Sequence, residues 1–414
     1  MRPIYQLLIK KSLLVFLVFF VAFTYRLWGL KSTGALWDEN AYFSSGFHYY
    51  YNLMHLQFDP DRDWGWIFEH PPMGKWIYGL GTFASYKFPD DPAFAPKLNF
   101  TFGRLESAVL GALTCVLIFL AGQEFFSTSV GLLSAAILAF LPIFAAYGRI
   151  IGLESPQAFF WTGAVYFFLR AVLRGENNRQ YLMAGLWASL AFATKYNSGL
   201  LPLLFGLIFL AGKVLRVNDD SPKFIPRNFL LVPVMMAVFL YVTFPWLWRD
   251  PLNQFWKSFS FSKQHVGFAD YTPLYYLKYF LATTPVVVIA LALVPFINIV
   301  SFWRKREVFL RLALLLATLL PLSLSLFGFK GAGVRYVIFA FPSLALLAGL
   351  GGVNLLSGIS KRMAFNLRQF RLAVFFLVIL VSSYLVWQAN LVHPYEVDYY
   401  SELVGGVKGA LKAK

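Results

Sequence analysis

A series of long apolar runs is the feature that most constrains how this 414-residue chain can fold. A helix needs roughly 20 mostly apolar residues to cross a hydrocarbon core. With 58% hydrophobic and only 14% charged residues, the chain is too apolar for a soluble protein of this length. The sequence therefore predicts an all-α polytopic membrane protein. The eleven predicted spans are residues 13–30, 104–122, 129–147, 156–173, 181–194, 199–215, 229–247, 280–302, 309–327, 336–357 and 371–390.

The loops between the spans predict the orientation of the chain. Residues 1–30 join a basic start to an apolar centre without a small-x-small cleavage site, which predicts an uncleaved first helix with a cytoplasmic N-terminus. Basic residues then recur in alternate loops, "RAVLRGENNR", "GKVLRVNDDSPKFIPR", "WRKREVFLR" and "KRMAFNLRQFR", as is typical of cytoplasmic loops. The formal charge of +16 is thus a topology signal, and no nucleic-acid partner is predicted.

The predicted outside segments hold nearly all candidate functional groups. They include a long first loop, residues 31–103, within a predicted transmembrane catalytic domain of residues 1–390, and a short tail, residues 391–414. The first loop is rich in Trp and Tyr, which favour the headgroup level, so short interfacial helices are expected in it. A loop of this length is more often functional than idle.

Three charged motifs lie in these outside segments. Charges at membrane depth are usually paired or functional. The motifs contain Asp38 and Glu39 in "WDEN", His70, Pro71, Pro72 and Lys75 in "EHPPMGKW", and Arg149 and Glu154 in "YGRIIGLESP". Two interpretations of the third motif are open: Arg149 and Glu154 pair with each other, or both belong to a site. The five histidines show no metal-ligand spacing and Cys115 is the sole cysteine, so neither a metal site nor a cofactor is predicted.

The order of these motifs relative to the spans resembles the protein O-mannosyltransferases and their bacterial relatives, glycosyltransferase family 39 of the GT-C superfamily. The segments "ATKYNSG" with Lys195, "GVRYVIFAFPSLALLAG" with Arg335 and "HPYEVDYYSELVGG" extend the resemblance over almost the whole chain. The family usually has Asp where this chain has Glu154, and eukaryotic members insert a soluble domain that this chain lacks. The resemblance implies a GT-C-like fold and a prokaryotic-type member in the plasma membrane, with its active site facing outside.

The resemblance also implies a chemistry. Sugar nucleotides are cytoplasmic, so an outward-facing site needs a sugar donor carried by a polyprenyl phosphate. Cations would bind its phosphate, whose negative charge grows as the glycosidic bond breaks. Asp38 matches the family's base, which takes a proton from the acceptor, and a single displacement inverts the anomeric carbon. The implied catalytic residues are Asp38, Glu39 and Glu154, with Glu39 expected mainly as a positioning or hydrogen-bonding partner of Asp38. The resemblance also implies Lys75, Arg149, Lys195 and Arg335 at the phosphate, and His70, Pro71 and Pro72 in shaping the loop or contacting substrate.

The predicted function is therefore transfer of a hexose or pentose to an extracytoplasmic protein, glycan or lipid. Two alternatives from other classes are weighed against it. A transporter or flippase of a lipid-linked substrate would also place charges at membrane depth, but paired repeats or broken helices would be expected in it. A membrane scaffold whose outer loop binds a partner would leave the clustered charges without a purpose.

Overall fold

The computed structural model describes residues 2–65, 68–85, 99–174, 178–217, 227–264, 272–297, 305–327 and 333–412. Within these ranges the chain forms seventeen α-helices and several short 3₁₀ turns, and no strand. The helices are α1 (Arg2–Leu27), α2 (Trp37–Met54), α3 (Met73–Ser85), α4 (Thr101–Phe125), α5 (Thr128–Phe140), α6 (Pro142–Tyr147), α7 (Glu154–Arg174), α8 (Asn178–Phe192), α9 (Leu201–Val214), α10 (Arg227–Thr243), α11 (Pro251–Gln264), α12 (Tyr275–Ala282), α13 (Val286–Ile297), α14 (Lys305–Leu322), α15 (Phe341–Arg362), α16 (Leu367–Asn390) and α17 (Gly406–Lys412).

Every predicted span coincides with helix, but two of the runs contain a break. The run 129–147 is divided between α5 and α6, and the run 280–302 between α12 and α13, which meet at 111°. Residues 298–302 lie outside the described part of the chain. By length and apolar composition, five described helices are able to cross a membrane, or six with the bent pair taken as one span. The chain is an integral membrane protein, and the number of eleven crossings stays a prediction.

Local sequence explains where several helices begin. Ser127 caps α5, since its hydroxyl accepts the backbone N–H of Val130 at 3.3 Å. Pro142 occupies the first turn of α6 and forces the preceding Leu141 out of the helical region, to φ −61° and ψ 117°. Pro285 likewise stands directly before α13. A hydropathy profile is blind to such breaks because they leave the apolar run intact.

The helix that contains α15 lies at the centre of the bundle. Its most apolar stretch is entirely buried inside the protein, whereas only 17% of the corresponding stretch of α16 is buried. Small residues allow close packing elsewhere: a Cβ on Gly122 of α4 would lie 2.6 Å from the Cα of Gly131 in α5. Helices α1 and α16 expose large apolar side chains such as Phe16 and Phe376, as is typical of surfaces that face lipid.

Two helices of the predicted first outside loop dock on one end of the bundle, and this contact forms the site. Helix α2 crosses α3 where a Cβ on Gly46 would lie 2.5 Å from the Gly79 nitrogen. The backbone N–H of Met73 donates to the Ala193 carbonyl at 2.7 Å, and the Trp76 indole N–H donates to the Thr243 carbonyl at 2.9 Å. These contacts place the start of α2 beside the segments around residues 154, 195 and 335.

Candidate active site

Four charged side chains that are far apart in sequence converge at this end of the bundle. The Glu154 carboxylate accepts a hydrogen bond from Lys195 Nζ at 3.0 Å and one from Arg335 Nε at 3.1 Å. The Nη2 atom of the same Arg335 guanidinium pairs with the Asp38 carboxylate. We call these four residues the charged cluster. All four were predicted as site residues from the sequence.

Accessibility divides the cluster into a buried and an open half. The side chains of Glu154 and Lys195 are 2% and 4% exposed. Those of Asp38 and Arg335 are 33% and 25% exposed. A substrate that reaches this end of the bundle therefore meets Asp38 and Arg335 first. Glu154, the first residue of α7, holds both cations from behind, next to a helix N-terminus that itself favours a negative charge.

Aromatic side chains line the cluster. The Lys195 ammonium lies 4.2 Å from the centroid of the Tyr336 ring, a cation–π contact. The ring of Tyr42 in α2 lies 5.8 Å from the His70 ring. Burial, with the nearby charge of Asp38, holds the pKa of Tyr42 well above its usual range. Tyr42 is therefore a neutral hydroxyl at neutral pH, which can donate as well as accept a hydrogen bond.

Glu39, expected as a positioning or hydrogen-bonding partner of Asp38, lies buried away from the open half of the cluster. Arg104 forms two hydrogen bonds with its carboxylate, Nε to Oε1 at 2.8 Å and Nη2 to Oε2 at 2.7 Å. The same carboxylate accepts the backbone N–H groups of Ile151 and Leu36, each at 3.0 Å. Glu39 is completely buried. These contacts anchor the start of α2, which supports the expected positioning role beside Asp38.

Arg104 was missed by the sequence analysis. Besides Glu39, its guanidinium donates to the backbone carbonyls of Leu30 at 2.7 Å, Thr33 at 2.9 Å and Gly34 at 2.9 Å. It therefore ties the turn between α1 and α2 to α4. A signal was present, since an arginine within an apolar helix is usually paired or functional.

Lys75 fastens the loop that carries His70. Its ammonium is buried, donates to the His70 carbonyl at 2.9 Å and lies 5.6 Å from the ring centroids of Tyr49 and Phe244. Burial lowers the pKa of Lys75 to about 8, although the charge of Glu69 opposes this effect. These contacts support a structural role beside the predicted phosphate role.

His70, Pro71 and Pro72 shape this loop as expected. Burial, together with the positive charges of Lys195, Lys75 and Arg335, holds the pKa of His70 well below its usual range, so the imidazole is neutral at pH 7. Pro71 and Pro72 lead directly into α3. The backbone N–H of Trp76 in that helix donates to the Pro72 carbonyl at 3.0 Å. A direct substrate contact by these residues stays a prediction.

Arg149 lies apart from the charged cluster, and the expected pairing with Glu154 is wrong. Its guanidinium pairs with Glu396 of the C-terminal segment, whose carboxylate also contacts His393 Nδ1 at 2.8 Å. It also donates to the Tyr25 carbonyl at 3.1 Å and is 1% exposed. Arg149 thus neither pairs with Glu154 nor faces the open half of the cluster. The Arg149–Glu396 ion pair supports a structural role, in which Arg149 links the α6–α7 turn to the C-terminal segment. The geometry does not support a role at the phosphate.

No group of three or more His, Cys, Asp and Glu side chains suited to a metal ion lies within the described ranges. The absence of a cofactor stays a prediction. The charged cluster itself offers two cations for an anion and one accessible carboxylate for a proton. Such a set suits a reaction in which an anionic group leaves while an acceptor loses a proton.

Comparison with solved structures identifies the fold. The chain superposes on ArnT from Cupriavidus metallidurans bound to undecaprenyl phosphate with a TM-score of 0.58 and 12% identity, over 93% of this chain and 71% of that one. It superposes on the archaeal oligosaccharyltransferase AglB from Archaeoglobus fulgidus, in complex with an inhibitory peptide and a dolichol-phosphate, with a TM-score of 0.61 and 14% identity, over 92% of this chain and 55% of that one. The GT-C-like membrane fold predicted from the motifs is confirmed.

The sequence comparisons add a family. Residues 69–248 match the family model described as dolichyl-phosphate-mannose-protein mannosyltransferase. The chain is 30% identical over 177 residues to dolichyl-phosphate-mannose-protein mannosyltransferase 2 of Candida albicans, covering 41% of this chain and 21% of the relative's own length. The predicted resemblance to the mannosyltransferase family of the GT-C superfamily is thus confirmed for this region.

Proposed function

We propose that this chain is a membrane glycosyltransferase that transfers one sugar from a polyprenyl-phosphate donor to an extracytoplasmic acceptor with inversion of configuration. The observation that carries the proposal is the open half of the charged cluster, where a carboxylate and a guanidinium are both accessible. The match of residues 69–248 to a mannosyltransferase family model supports the same chemistry. None of the matched proteins reported above is a transporter, so the flippase alternative gains no support.

The contacts of Arg335 support a role at the donor phosphate. Its Nε is held by Glu154, and its Nη2 pairs with Asp38. A phosphate can form the same bidentate hydrogen bonds as a carboxylate and carries more charge. In our proposal the phosphate displaces Asp38 from Arg335. Arg335 then stabilises the charge that develops on the phosphate as the bond to the sugar breaks.

The displaced Asp38 is then available as the base. Its carboxylate accepts the proton of the acceptor hydroxyl or amine while the acceptor oxygen or nitrogen bonds to the anomeric carbon. The bond from that carbon to the phosphate oxygen breaks in the same step, and the polyprenyl phosphate leaves as an anion. Donor binding would thus release the base for the acceptor.

The buried half of the cluster positions this machinery. Glu154 and Lys195 form an ion pair at 3.0 Å that is almost completely buried, and the same carboxylate orients Arg335. Removal of Glu154 would leave two cations together in a poorly hydrated cleft, which is costly. In our proposal Glu154 orients Arg335, whereas pairing with Arg149 was one of the two interpretations that the sequence left open.

The names of the similar proteins guide the choice of substrates. The family description names a dolichyl-phosphate mannose donor, and ArnT and AglB are described with undecaprenyl phosphate and dolichol-phosphate. We propose a single sugar on a polyprenyl phosphate as donor, with mannose the first hexose to test and a pentose next. Protein, glycan and lipid remain the acceptor classes. The proposed location is a prokaryotic plasma membrane, as the family resemblance implies. The basic loops favour an orientation in which the site faces outside.

Purified protein and its Asp38→Asn variant test this function directly. The parent should transfer labelled mannose or pentose from a polyprenyl-phosphate donor to proteins, glycans or lipids extracted from the outer face of the membrane. A nucleotide sugar in place of that donor should give no transfer. Asp38→Asn should lower turnover by ~10²-fold or more while the donor still binds, because the carboxylate that competes for Arg335 is removed. Equal turnover of parent and variant would exclude Asp38 as the base.

A further inference from the structure

A long apolar groove opens on the surface of the bundle, and no residue of the charged cluster lines it. It has a volume of about 1010 Å³ and is lined by α1, α5 and α16. Most of its wall is Leu, Val, Ala and Phe. Apart from Ser382, its polar lining lies toward one end and consists of Lys11, Arg371 and the uncharged Gln123, Thr128 and Ser129. We infer that this groove binds the acyl chain of an anionic phospholipid, whose headgroup is held by Lys11 and Arg371.

The direction of the groove follows from its helices. Lys11 lies in the first half of α1, Thr128 begins α5 and Arg371 is the fifth residue of α16. At the other end, Phe140 contacts the ring of Tyr25 at 4.9 Å between centroids. Tyr25 is close to the site face, since its carbonyl accepts the Arg149 guanidinium. The two cations are therefore at the membrane face away from the charged cluster, which is the predicted cytoplasmic face.

The length of the groove matches one leaflet. From Ser129 to Phe140, α5 rises by about 16 Å at 1.5 Å per residue. The hydrocarbon core is roughly 30 Å thick, so one leaflet contributes about 15 Å. An acyl chain that enters from the cytoplasmic leaflet fits this length with its headgroup at the cations. The donor of the proposed reaction must present its phosphate at the opposite face, so this groove is a separate site.

Charge selects the class of lipid. The described lining residues include two cations and no carboxylate. Glu124, next in sequence to Gln123, already pairs with Arg170 at 3.0 Å and Arg174 at 2.8 Å. A zwitterionic headgroup would leave this excess charge uncompensated, whereas a phosphodiester with net negative charge neutralises it. The cytoplasmic leaflet supplies such lipids, and its negative potential attracts basic residues near the surface by about 1 kcal/mol each.

Photoreactive lipids test the site on the full chain. The protein is placed in phosphatidylcholine nanodiscs that contain traces of phosphatidylglycerol or phosphatidylcholine with a diazirine on the acyl chain, and the labelled residues are mapped. Labelling of α5 and α16 by the phosphatidylglycerol probe should exceed that by the phosphatidylcholine probe by about tenfold or more, since two charges contribute. The double variant Lys11→Gln/Arg371→Gln should abolish the preference.

Two further variants keep the test decisive. Arg368→Gln removes an exposed cation of the same segment that does not line the groove, and it should leave the preference unchanged. Ala136→Phe fills the groove without changing charge and should abolish labelling inside it. Equal labelling by both lipids, an equal loss in Arg368→Gln, or labelling by neither lipid because a second copy covers the groove would each overturn the proposal. So would preferential competition by a polyprenyl phosphate.

Discussion

Asp38 and Glu39 are adjacent in sequence, yet the structure assigns them opposite environments. Successive residues at the start of a helix point about 100° apart, so one carboxylate faces the cleft while the other faces the bundle. Asp38 is one-third exposed and pairs with Arg335, whereas Glu39 is completely buried against Arg104. The sequence identified the acidic pair as functional. It also expected Asp38 as the base and Glu39 as its positioning partner. It could not predict that Arg104 is the residue that holds Glu39, because only the packing of α2 against α4 and the 151 turn brings the two together.

This difference predicts a contrast between the two neutral variants. Glu39→Gln leaves the Arg104 guanidinium buried without a counter-charge, so the free energy of unfolding should fall by about 3–5 kcal/mol. Asp38→Asn should unfold at nearly the same temperature as the parent, since the Asp38 pair is partly exposed. Thermal unfolding in detergent makes the comparison. A Glu39→Gln variant as stable as the parent, with turnover alone reduced, would contradict the assignment of Glu39 to the scaffold.

Lys75 predicts a dependence of stability on pH. Its pKa in the folded protein is about 8, against an ordinary value of 10.5, because it is buried. Between these values the unfolded chain binds more protons than the folded one at this residue, so the contribution of Lys75 to the free energy of unfolding rises with pH. Below pH 8 the full cost of burying the charge remains.

Lys75→Met removes this effect while keeping most of the side-chain volume. The stability of the parent relative to Lys75→Met should therefore increase as pH rises from 8 towards 10.5, by up to roughly 3 kcal/mol. Unfolding by denaturant at a series of pH values measures the difference. A difference that is constant over this range, or that shrinks as pH rises, would show that Lys75 keeps its charge in the folded protein.

At the scale of helices, composition predicted the existence of the elements far better than their shape. Each apolar run is helical, because any chain segment in lipid must satisfy its own backbone hydrogen bonds. The bend of 111° between α12 and α13 was not predicted, since "ATTPVVV" interrupts the hydrogen-bond ladder without interrupting the apolar run. The role of Arg149 was also missed, because its partner Glu396 is 247 residues away and no local pattern connects them.

The contact between Arg149 and the C-terminal segment predicts a structural effect for both partners. Arg149→Met and Glu396→Gln each break a fully buried ion pair, so each should lower the free energy of unfolding by about 3–5 kcal/mol and increase proteolysis within residues 393–404. The affinity for a polyprenyl phosphate should stay near that of the parent. Glu402→Gln, at an exposed carboxylate in the same segment, is the matched control and should change neither quantity.

The opposite result has an equally plain meaning. If Arg149→Met remained as stable as the parent but bound polyprenyl phosphate about tenfold more weakly, Arg149 would contribute to the donor site as the sequence analysis proposed. The position of Arg149 behind Tyr25 and its pairing with Glu396 would then have to change when the donor binds.

At the scale of the whole molecule, the fold places chemistry at one face and topology signals at the other. The charged cluster draws on residues 38, 154, 195 and 335, which only the assembled bundle brings together. The resemblance to a known family predicted these four residues in advance. It could not predict that Arg335 pairs with Asp38, because that contact depends on the approach of α2 to the turn before α15. The outward direction of this face rests on the basic loops and stays a prediction.

The most direct test of the central claim is a structure of the full chain with a bound polyprenyl phosphate. The account predicts the phosphate within about 2.7–3.2 Å of the Arg335 guanidinium, near Lys195, with Asp38 released from Arg335 and facing the cleft. Glu154 should keep its contacts with both cations. A phosphate bound elsewhere, such as beside Arg149, or an Asp38–Arg335 pair that persists beside the bound phosphate, would contradict the proposed site and its mechanism.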